Sequence, residues 1–243
     1  MVAPMIVAHR GANVALPEQS LAAYVRAIEL GADAIECDVR LTRDGHLVCH
    51  HDRTVNRTSN GTGAISDLTL AELQKLDFSG TAARNEKHQI VTLTQLLRLV
   101  DEAPRPVRVL VETKHPSRYG ARVELALHQA LASYPQMDVT VMSFARAAVN
   151  RYRAIDAAMP LVWLFHHQIG AIPQAARTIG PKLSFAKAKP EAIRSAIEEG
   201  RRVFVWTVNT PADVEFVASL GASAIITDDP AMALTTLGRP VNA

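Results

Sequence analysis

The sequence has no apolar run near the ~20 residues that a membrane-spanning helix requires, and it has no cluster of lysine and arginine. The net charge of its 243 residues is only +2, and the basic residues are dispersed, so a nucleic-acid-binding face has little support. Aromatic residues are also few, at 5%, but hydrophobic residues reach 48%. This composition indicates a soluble globular protein with one large core rather than a disordered chain.

Cysteine is equally scarce. The only two cysteines, Cys37 and Cys49, fall in a predicted hairpin, and we expect them on opposite faces of it, where a disulfide lacks the required geometry. We therefore expect two buried free thiols in a reducing compartment. The first residues lack the basic region of a signal peptide, so a cytoplasmic location is expected.

Two acidic residues stand out within a β-branched apolar run. Glu36 and Asp38 lie two residues apart, and on a strand both carboxylates point to the same face. Asp44 and Gly45 are typical of a two-residue type I′ turn, which would place His51 opposite Asp38. Two acids and an imidazole together predict a metal site beside a proton-transfer group, whereas a solvated edge hairpin is the alternative for any one of them.

Strand-like and helix-like patterns alternate along most of the chain. The predicted strands cover residues 5–9, 34–39, 107–113, 139–144, 161–165, 183–185, 203–208 and 224–227. A ninth run, 46–50, returns antiparallel to the second strand and belongs to a loop. The eight remaining units predict a single-domain (β/α)8 TIM barrel over residues 1–243. Residues 53–91 break the alternation, and we expect them to form a small inserted subdomain after the second strand, over the active-site mouth.

Helix boundaries can be predicted at several places. Pro17 and Glu18 are expected to open the first helix, and Gly31 is expected to end it. A capping box is predicted at Thr69 within the insertion. A further helix is expected to end near Gly180, just before the seventh strand.

Polar residues recur at the carboxyl ends of the predicted strands, where the active site of such a barrel lies. A chance scatter would not choose the same end of separate strands for His9, Glu36, Asp38, Glu112, Ser143, Trp206 and Asp228. We expect Asp228 to cap the last helix rather than bind metal. His166 and His167 are adjacent and would face opposite ways, so we expect them to be structural or at the rim.

Six motifs occur in order between residues 9 and 230: HRGAN with PEQS, ECDVRLTRDGHLVCHHD, VETK, SF, VWTVN and AIITDDP. In order and spacing they resemble the glycerophosphodiester phosphodiesterase family, of the bacterial cytoplasmic type. HRG followed by E-x-D, DG and HD is highly specific, and the shorter motifs support it together. Gln19, Ser20 and Val91 stand where Asn, Thr and Pro are usual, and these departures leave the chemistry intact.

The resemblance implies a metal-dependent hydrolase that splits glycerophosphodiesters, such as glycerophosphocholine and glycerophosphoethanolamine, into sn-glycerol 3-phosphate and an alcohol. It implies that Glu36, Asp38 and Glu112 are metal ligands. It implies that His9 and His51 are the acid–base pair, and that Arg10 and Lys114 bind the phosphate. Three carboxylates suit Mg²⁺ or Ca²⁺ better than zinc. The family suggests the glycerol 2-hydroxyl as nucleophile, through a cyclic phosphate, while the residues alone leave water and the acid–base order open.

Three further residues are candidates for substrate contact. Glu18 could bind substrate hydroxyls or act only as a helix-dipole partner. Trp206 and Phe144 could form an apolar wall for the glycerol backbone or merely pack. For Arg10 and Lys114 the alternative role is a salt bridge to the neighbouring acids.

Two other functions are alternatives to this hydrolase. A lysophospholipase D-like or sphingomyelinase D-like phosphodiesterase would need an apolar or membrane-facing surface around the active-site mouth. The leucines and Phe78 of the insertion have spacings that favour packing against the barrel instead. A non-catalytic barrel acting as a binding module would need a lost catalytic group, and every such position is filled. The expected partner is a small-molecule glycerophosphodiester, and nothing in the sequence indicates an oligomeric state.

Overall fold

The computed structural model of the protein describes residues 3–80, 87–167 and 172–242. Within these ranges the strands are β1 (Met5–His9), β2 (Ala34–Leu41), β3 (Leu47–Cys49), β4 (Arg108–Thr113), β5 (Val139–Ser143), β6 (Leu161–Phe165), β7 (Thr178–Pro181), β8 (Arg202–Val205) and β9 (Ala224–Thr227). The α-helices are α1 (Leu21–Leu30), α2 (Leu70–Leu73), α3 (Leu93–Asp101), α4 (Arg122–Leu131), α5 (Arg146–Ile155), α6 (Leu183–Ala188), α7 (Pro190–Glu198), α8 (Pro211–Ser219) and α9 (Pro230–Thr236).

The strands form a closed parallel barrel. Their order around it is β1, β9, β8, β7, β6, β5, β4 and β2, and pairing between β1 and β2 closes the ring. The strand β3 stands outside the ring, antiparallel to the end of β2. The prediction of a (β/α)8 barrel with one antiparallel hairpin strand is therefore confirmed.

Alternation along each strand separates two apolar layers. Residues such as Val7, Leu110 and Phe204 fill the barrel interior, whereas Ile6 and Ile35 pack outward against the helices. Counting onward by two from the interior residues leads to the polar positions at the carboxyl end. The same parity thus fills the lower barrel with apolar side chains and its upper mouth with functional ones.

The first helix starts later than the sequence predicted. Ser20 is its N-cap and accepts a hydrogen bond from the backbone N–H of Ala23, so Pro17 and Glu18 lie in the preceding loop. Gly31 ends the helix in the left-handed conformation, as expected. Residues 10–19 consequently remain free of helix and can fold over the barrel mouth.

The hairpin register differs by one residue from the prediction. Leu41 pairs with Leu47, and the backbone N–H of Thr42 donates to the carbonyl of His46, which leaves a three-residue loop. The Thr42 hydroxyl bonds to Asp44, and Gly45 has φ +89°, which stabilises this longer turn. The prediction that His51 lies opposite Asp38 was wrong, because His50 occupies that place.

The two cysteines also lie differently from the prediction. Cys49 pairs with Val39, so it shares a face with Cys37, two residues earlier on β2. Both thiols are buried and free between the barrel and its helices, as expected. A hydrogen bond with Cys49, together with burial, raises the pKa of the Cys37 thiol well above its usual value.

The prediction of the seventh strand at residues 183–185 was wrong. This strand lies at 178–181, and Leu183–Ala188 is the helix α6 rather than a strand. No helix ends near Gly180 in the described residues 172–180, since that glycine lies inside β7. There its missing side chain leaves room for Leu164, which a Cβ would approach to 2.4 Å.

Residues 53–80 and 87–91 contain a short 3₁₀ helix (Ile65–Asp67) and α2, with the predicted capping box between Thr69 and Glu72. Their apolar side chains form a small cluster with Val48 of the hairpin. The other buried members of this cluster are Val55, Ile65, Leu73, Phe78 and Ile90. Residues 81–86 of this segment lie outside the described part of the chain.

In the described ranges, none of the helices combines the length and the apolar character needed to cross a bilayer.

The loop after β1 depends on a glycine. Gly11 has φ +86°, and a Cβ there would lie 2.7 Å from the backbone carbon of Ala23 in α1. Gly45 has a similar φ of +89° but nothing within 4 Å of its Cβ position. We expect Gly45→Ala to lower the free energy of unfolding by about 1–2 kcal/mol, the cost of the left-handed conformation.

For Gly11→Ala, the same backbone cost and the clash with Ala23 should together lower the free energy of unfolding by about 2–4 kcal/mol. Urea denaturation followed by circular dichroism measures both variants. Equal losses in the two would mean that the close approach to α1 contributes nothing.

Candidate active site

A cavity of about 530 Å³ opens at the carboxyl end of the barrel strands. Its lining brings together side chains from β1, β2, β4 and the loops that follow β3, β5, β6 and β8. The polar members are His9, Arg10, Glu36, Arg40, His51, Glu112, Lys114, His115, His166 and Thr207. Residues far apart in sequence therefore converge where the active site of such a barrel lies.

A larger cavity of about 1360 Å³ opens at the opposite end of the barrel. Four of its charged side chains form ion pairs with each other, Arg239 with Asp33 and Arg108 with Asp138, both at 2.6 Å. The only group of three metal-binding side chains in the described residues lies at the carboxyl end instead. Size alone therefore does not identify the functional cavity.

Three carboxylates lie together at the floor of the smaller cavity. One oxygen from each of Glu36, Asp38 and Glu112 lies within 4.8 Å of the others. The strand register explains this, because Asp38 of β2 pairs directly with Glu112 of β4. Each of the three residues is at most 6% exposed. The predicted set of acids is therefore brought together in a buried cluster.

Two cations accompany these acids. The ammonium of Lys114 lies 2.8 Å from Asp38 Oδ1 and 2.7 Å from Glu112 Oε1. The Nε of Arg10 lies 3.1 Å from Asp38 Oδ2, and its backbone N–H donates to Glu36 Oε2 at 3.0 Å. Both cations thus form salt bridges to the neighbouring acids while also lining the cavity.

The buried side chain of Gln19 orients Asp38. The Gln19 side chain donates to Asp38 Oδ2 at 2.7 Å, and Tyr24 donates its hydroxyl to the Gln19 amide oxygen. Gln19 has φ +62°, a conformation that directs its side chain inward from the loop before α1. The glutamine that departs from the family pattern therefore serves to orient an acid of the cluster.

The acids of the cluster differ in their affinity for protons. Burial, with the charges of Asp38 and Glu112, raises the pKa of Glu36 well above its usual value. Burial and Asp38 likewise raise the pKa of Glu112 to about 8. Burial would also raise the pKa of Asp38, but Lys114 and Arg10 outweigh it and hold that pKa well below its usual range. Without a further cation, the cluster cannot keep three negative charges at neutral pH.

Two histidines of the cavity, His9 and His51, are each bonded to their own carboxylate. His9 Nδ1 lies 2.6 Å from Asp228 Oδ1, and His51 Nδ1 lies 2.7 Å from Asp52 Oδ1. Because an ionised carboxylate only accepts hydrogen bonds, we assign the proton to Nδ1 in both rings. Nε2 of each ring then remains for proton exchange in the cavity.

Asp228 does not cap the last helix, contrary to the prediction. Its neighbour Asp229 does so, accepting from the backbone N–H of Met232 at 2.9 Å. Asp228 instead accepts from His9, from Asn13 at 2.9 Å and from Asn209 at 2.5 Å. Burial opposes its ionisation, but these bonds lower the pKa of Asp228 to about 2, so it stays charged beneath the imidazole.

His51 reaches the cavity because the chain leaves β3 after Cys49. Arg40 holds the new direction, with Nε and Nη2 at 3.0 and 2.8 Å from the carbonyl oxygen of His51. His50 turns the other way and bonds to Thr58 at 2.9 Å. Burial is the largest influence on the pKa of His51 and holds it below its usual value. The ring is therefore neutral at pH 7.

An arginine of the insertion links the two halves of the mouth. The Nε of Arg57 lies 2.6 Å from Asp52, and its two Nη atoms lie 2.7 and 2.8 Å from the oxygens of Glu18. Glu18 also accepts from Arg10 at 3.0 Å. A continuous chain of ion pairs therefore runs from Arg10 to the carboxylate that holds His51.

Aromatic rings form the other wall of the cavity. Phe144 and Trp206 meet edge to face with ring centroids 5.2 Å apart. His166 stacks on Phe144 at 5.1 Å and is exposed at the rim, as expected for this residue. The Trp206 indole donates to the carbonyl of Gly180 at 2.7 Å, which fixes the ring in place.

Comparison with known proteins identifies the family. The model of the glycerophosphoryl diester phosphodiesterase family matches residues 9–232. The chain belongs to this family. A probable glycerophosphodiester phosphodiesterase 1 of Mycobacterium tuberculosis is 41% identical, over 93% of this chain and 90% of that protein. A glycerophosphodiester phosphodiesterase of Caldanaerobacter subterraneus is 34% identical, over 93% and 94%.

Solved structures agree on the fold. A phosphodiesterase of Oleispira antarctica, in complex with the product sn-glycerol-3-phosphate, superposes with a TM-score of 0.86 at 22% identity and covers 97% of each chain. A putative glycerophosphoryl diester phosphodiesterase of Silicibacter pomeroyi gives 0.86 at 24% identity, covering 97% and 93%. The family and these relatives make the chain a phosphoric diester hydrolase.

Sequence reasoning missed several residues of this family member's site. Asp228 was considered, and its place at the carboxyl end of a strand was the signal for a site residue. Asp52, next to His51, has no signal apart from its place in the motif. Arg40 shares the strand parity of Glu36 and Asp38, which is a signal for a site residue, whereas Arg57 lies in the insertion, where no period relates it to the site.

Arg57 is expected to position the reacting groups through Asp52 and Glu18. Arg57→Met should lower kcat by about tenfold to a hundredfold, as removal of outer partners does at comparable sites, and should change KM less. Arg57→Lys should recover only part of the loss, because an ammonium cannot reproduce the three bonds of the fork. Steady-state hydrolysis of glycerophosphocholine measures both variants.

The matched control is Arg43→Met. Arg43 is also an exposed arginine that binds a carboxylate, Glu72, but it lies away from the cavity. Equal kcat values for the Arg57→Met and Arg43→Met variants would contradict the positioning role.

Proposed function

We propose that this protein hydrolyses glycerophosphodiesters such as glycerophosphocholine and glycerophosphoethanolamine to sn-glycerol 3-phosphate and an alcohol. The observation that carries the proposal is the convergence of two carboxylate-bound histidines with three buried acids in one cavity. The relatives named as glycerophosphodiester phosphodiesterases, and the product in the Oleispira structure, support the same substrate class.

The acid cluster fits a hard divalent cation, and we propose Mg²⁺ or Ca²⁺. Glu36, Asp38 and Glu112 offer only oxygen ligands within a few ångströms, which these ions prefer. The raised pKa values of the two glutamates show that the cluster has too little positive charge to ionise fully. When bound, the ion would neutralise the acids and polarise a phosphate oxygen as a Lewis acid.

We propose Arg10 and Lys114 as the phosphate-binding cations. Both line the cavity beside the acids, and both are mostly buried, so their charges are poorly screened by water. Arg10 offers a planar fork for two phosphate oxygens and Lys114 a point charge. Burial lowers the pKa of Lys114, but Asp38 and Glu112 more than compensate, so the ammonium stays charged.

Proton transfer belongs to the two histidines. One histidine starts neutral and accepts the proton of the attacking hydroxyl at its free Nε2, whereas the other starts as an imidazolium and donates its Nε2 proton to the oxygen of the departing alcohol. Asp228 and Asp52 hold the rings in orientation and stabilise the imidazolium that forms. The proton count balances, because one histidine gains the proton that the other loses.

The aromatic wall and Glu18 complete the proposed substrate site. Phe144 and Trp206 present apolar surface on which the carbon backbone of glycerol can lie. Both oxygens of Glu18 are bound by arginines, so we propose that it contributes mainly by joining Arg10 to Arg57.

We also propose that the chain is one barrel domain, 1–243, with residues 53–91 as a small subdomain over the mouth. Its own apolar cluster and the bonds of Arg57 to Asp52 and Glu18 support this. A cytoplasmic location is proposed from the two buried free thiols.

The histidine roles can be tested directly. His9→Ala and His51→Ala should each lower kcat/KM for glycerophosphocholine by about 10²- to 10⁴-fold, because each removes a proton-transfer group. Release of sn-glycerol 3-phosphate is measured with Mg²⁺ or Ca²⁺ and again after EDTA, which should abolish it.

His46→Ala is the matched control, since His46 is half-exposed in the hairpin loop and should leave the rate within about twofold. A near-normal rate in either cavity variant, with circular dichroism unchanged, would rule out the proposed mechanism.

Metal binding should release protons near neutral pH. Glu112, with its pKa of about 8, is largely protonated at pH 7 and must ionise to bind an ion. Affinity for Mg²⁺ or Ca²⁺ should therefore rise from pH 6 through pH 8. Isothermal titration calorimetry in two buffers of different ionisation enthalpy counts the protons released.

The two apparent binding enthalpies should differ at pH 7. Glu112→Gln should reduce both the affinity and the proton release. Identical enthalpies in the two buffers at pH 7 would show that the acids are already ionised without the ion.

A further inference from the structure

Arg40 lies in the cavity because of its position on β2. It follows Glu36 and Asp38 at intervals of two residues, so all three side chains point to the barrel interior. Each interval advances about 6.6 Å along a strand, which places Arg40 about that far beyond Asp38 toward the mouth. Its guanidinium therefore lies outward of the acid cluster, on the path into the site.

Arg40 forms no ion pair with any residue of the described part of the chain. Arg10, Lys114 and Arg57 each bind one or more carboxylates, as described above. Arg40 binds only the carbonyl oxygen of His51, and its Nη1 has no hydrogen-bond partner among the residues that the structure describes. Burial accordingly lowers the pKa of Arg40 despite the more distant charges of Asp38, Glu112 and Asp52, with Arg53 acting in the same direction as burial.

The opposite side of the mouth has a different character. In the closed ring, β6 and β8 lie across from β2, and their ends carry His166 and Trp206 beside Phe144. On the function proposed above, the glycerol backbone lies on this aromatic wall and the phosphate lies at the acid cluster. The alcohol half of the diester then extends toward Arg40.

We infer that Arg40 determines specificity for the alcohol half of the substrate, and that the enzyme prefers alcohols that carry an anionic group to alcohols that carry a quaternary ammonium. A guanidinium fork with a free N–H suits a second phosphate or a carboxylate. The same unpaired charge repels choline. This inference rests on the proposed function and names the substrate class within it.

The experiment compares three diesters that share the glycerol 3-phosphate half. Bis(glycerophospho)glycerol carries an anionic alcohol, glycerophosphoglycerol a neutral one and glycerophosphocholine a cationic one. The wild-type kcat/KM should fall in that order, after correction for the two equivalent ends of the first. Arg40→Gln should lower kcat/KM for the anionic substrate about tenfold to a hundredfold relative to the neutral one, as expected for a lost charged hydrogen bond.

In the Arg40→Gln variant, kcat/KM for glycerophosphocholine relative to kcat/KM for glycerophosphoglycerol should rise. Arg40→Lys keeps the charge and should keep most of the wild-type preference. Arg53→Gln removes a nearby exposed cation that does not line the cavity, and it should leave the order unchanged.

The possible results separate this inference from the proposed function. Hydrolysis of none of the three diesters would overturn the proposed function and this inference with it. Hydrolysis of all three without a wild-type preference for the anionic one would overturn the inference alone. An equal loss on all three in Arg40→Gln would also overturn it, because Arg40 would then act only by holding His51.

Discussion

Burial of three carboxylates side by side is the constraint on which the rest of this structure depends. Glu36, Asp38 and Glu112 repel one another where water cannot screen them, and their free energy is acceptable only if cations or protons accompany them. Lys114 and Arg10 supply two cations and fix the ionised form of Asp38. The two glutamates, whose pKa values burial raises, retain protons unless a further cation joins the cluster. The proposed affinity for a divalent ion therefore follows from the electrostatics of the whole cluster rather than from any single ligand.

The barrel makes this arrangement with very little sequence. Alternate side chains of each strand point into the barrel. The inward side chains are apolar in the barrel interior and polar at the carboxyl end of the strands. β2 alone contributes Glu36, Asp38 and Arg40, and its hairpin leads to His51. The remaining groups come from β1, β4 and β9, which either pair with β2 or lie one strand further away. The acid–base half of the site is therefore concentrated on one side of the barrel, and the aromatic rings come from the other.

The two-residue period of strands correctly predicts several features of this molecule, although it placed the seventh strand at 183–185 rather than 178–181. The shared face of Glu36 and Asp38, the barrel and the outlying hairpin strand all follow from such local rules. It failed where a side chain or backbone contact decides the outcome. The Thr42 hydroxyl and Gly45 lengthened the hairpin loop by one residue, which moved both His50 and Cys49 relative to the prediction. The pairing of His9 with Asp228, and of Arg57 with Glu18, joins residues separated by 219 and 39 positions, and no pattern in the sequence encodes those distances.

The concentration of function on β2 makes the site sensitive to the length of that strand. Gain or loss of one codon between Glu36 and Arg40 would reverse the facing of every later residue of the strand, so acid, cation and histidine would leave the cavity together. The same change in the loops of residues 53–80 would leave strand parity untouched. A change of length in those loops would therefore leave Glu36, Asp38 and Arg40 facing the cavity. A change of length within β2 would remove an acid of the cluster and the arginine of the mouth at the same time.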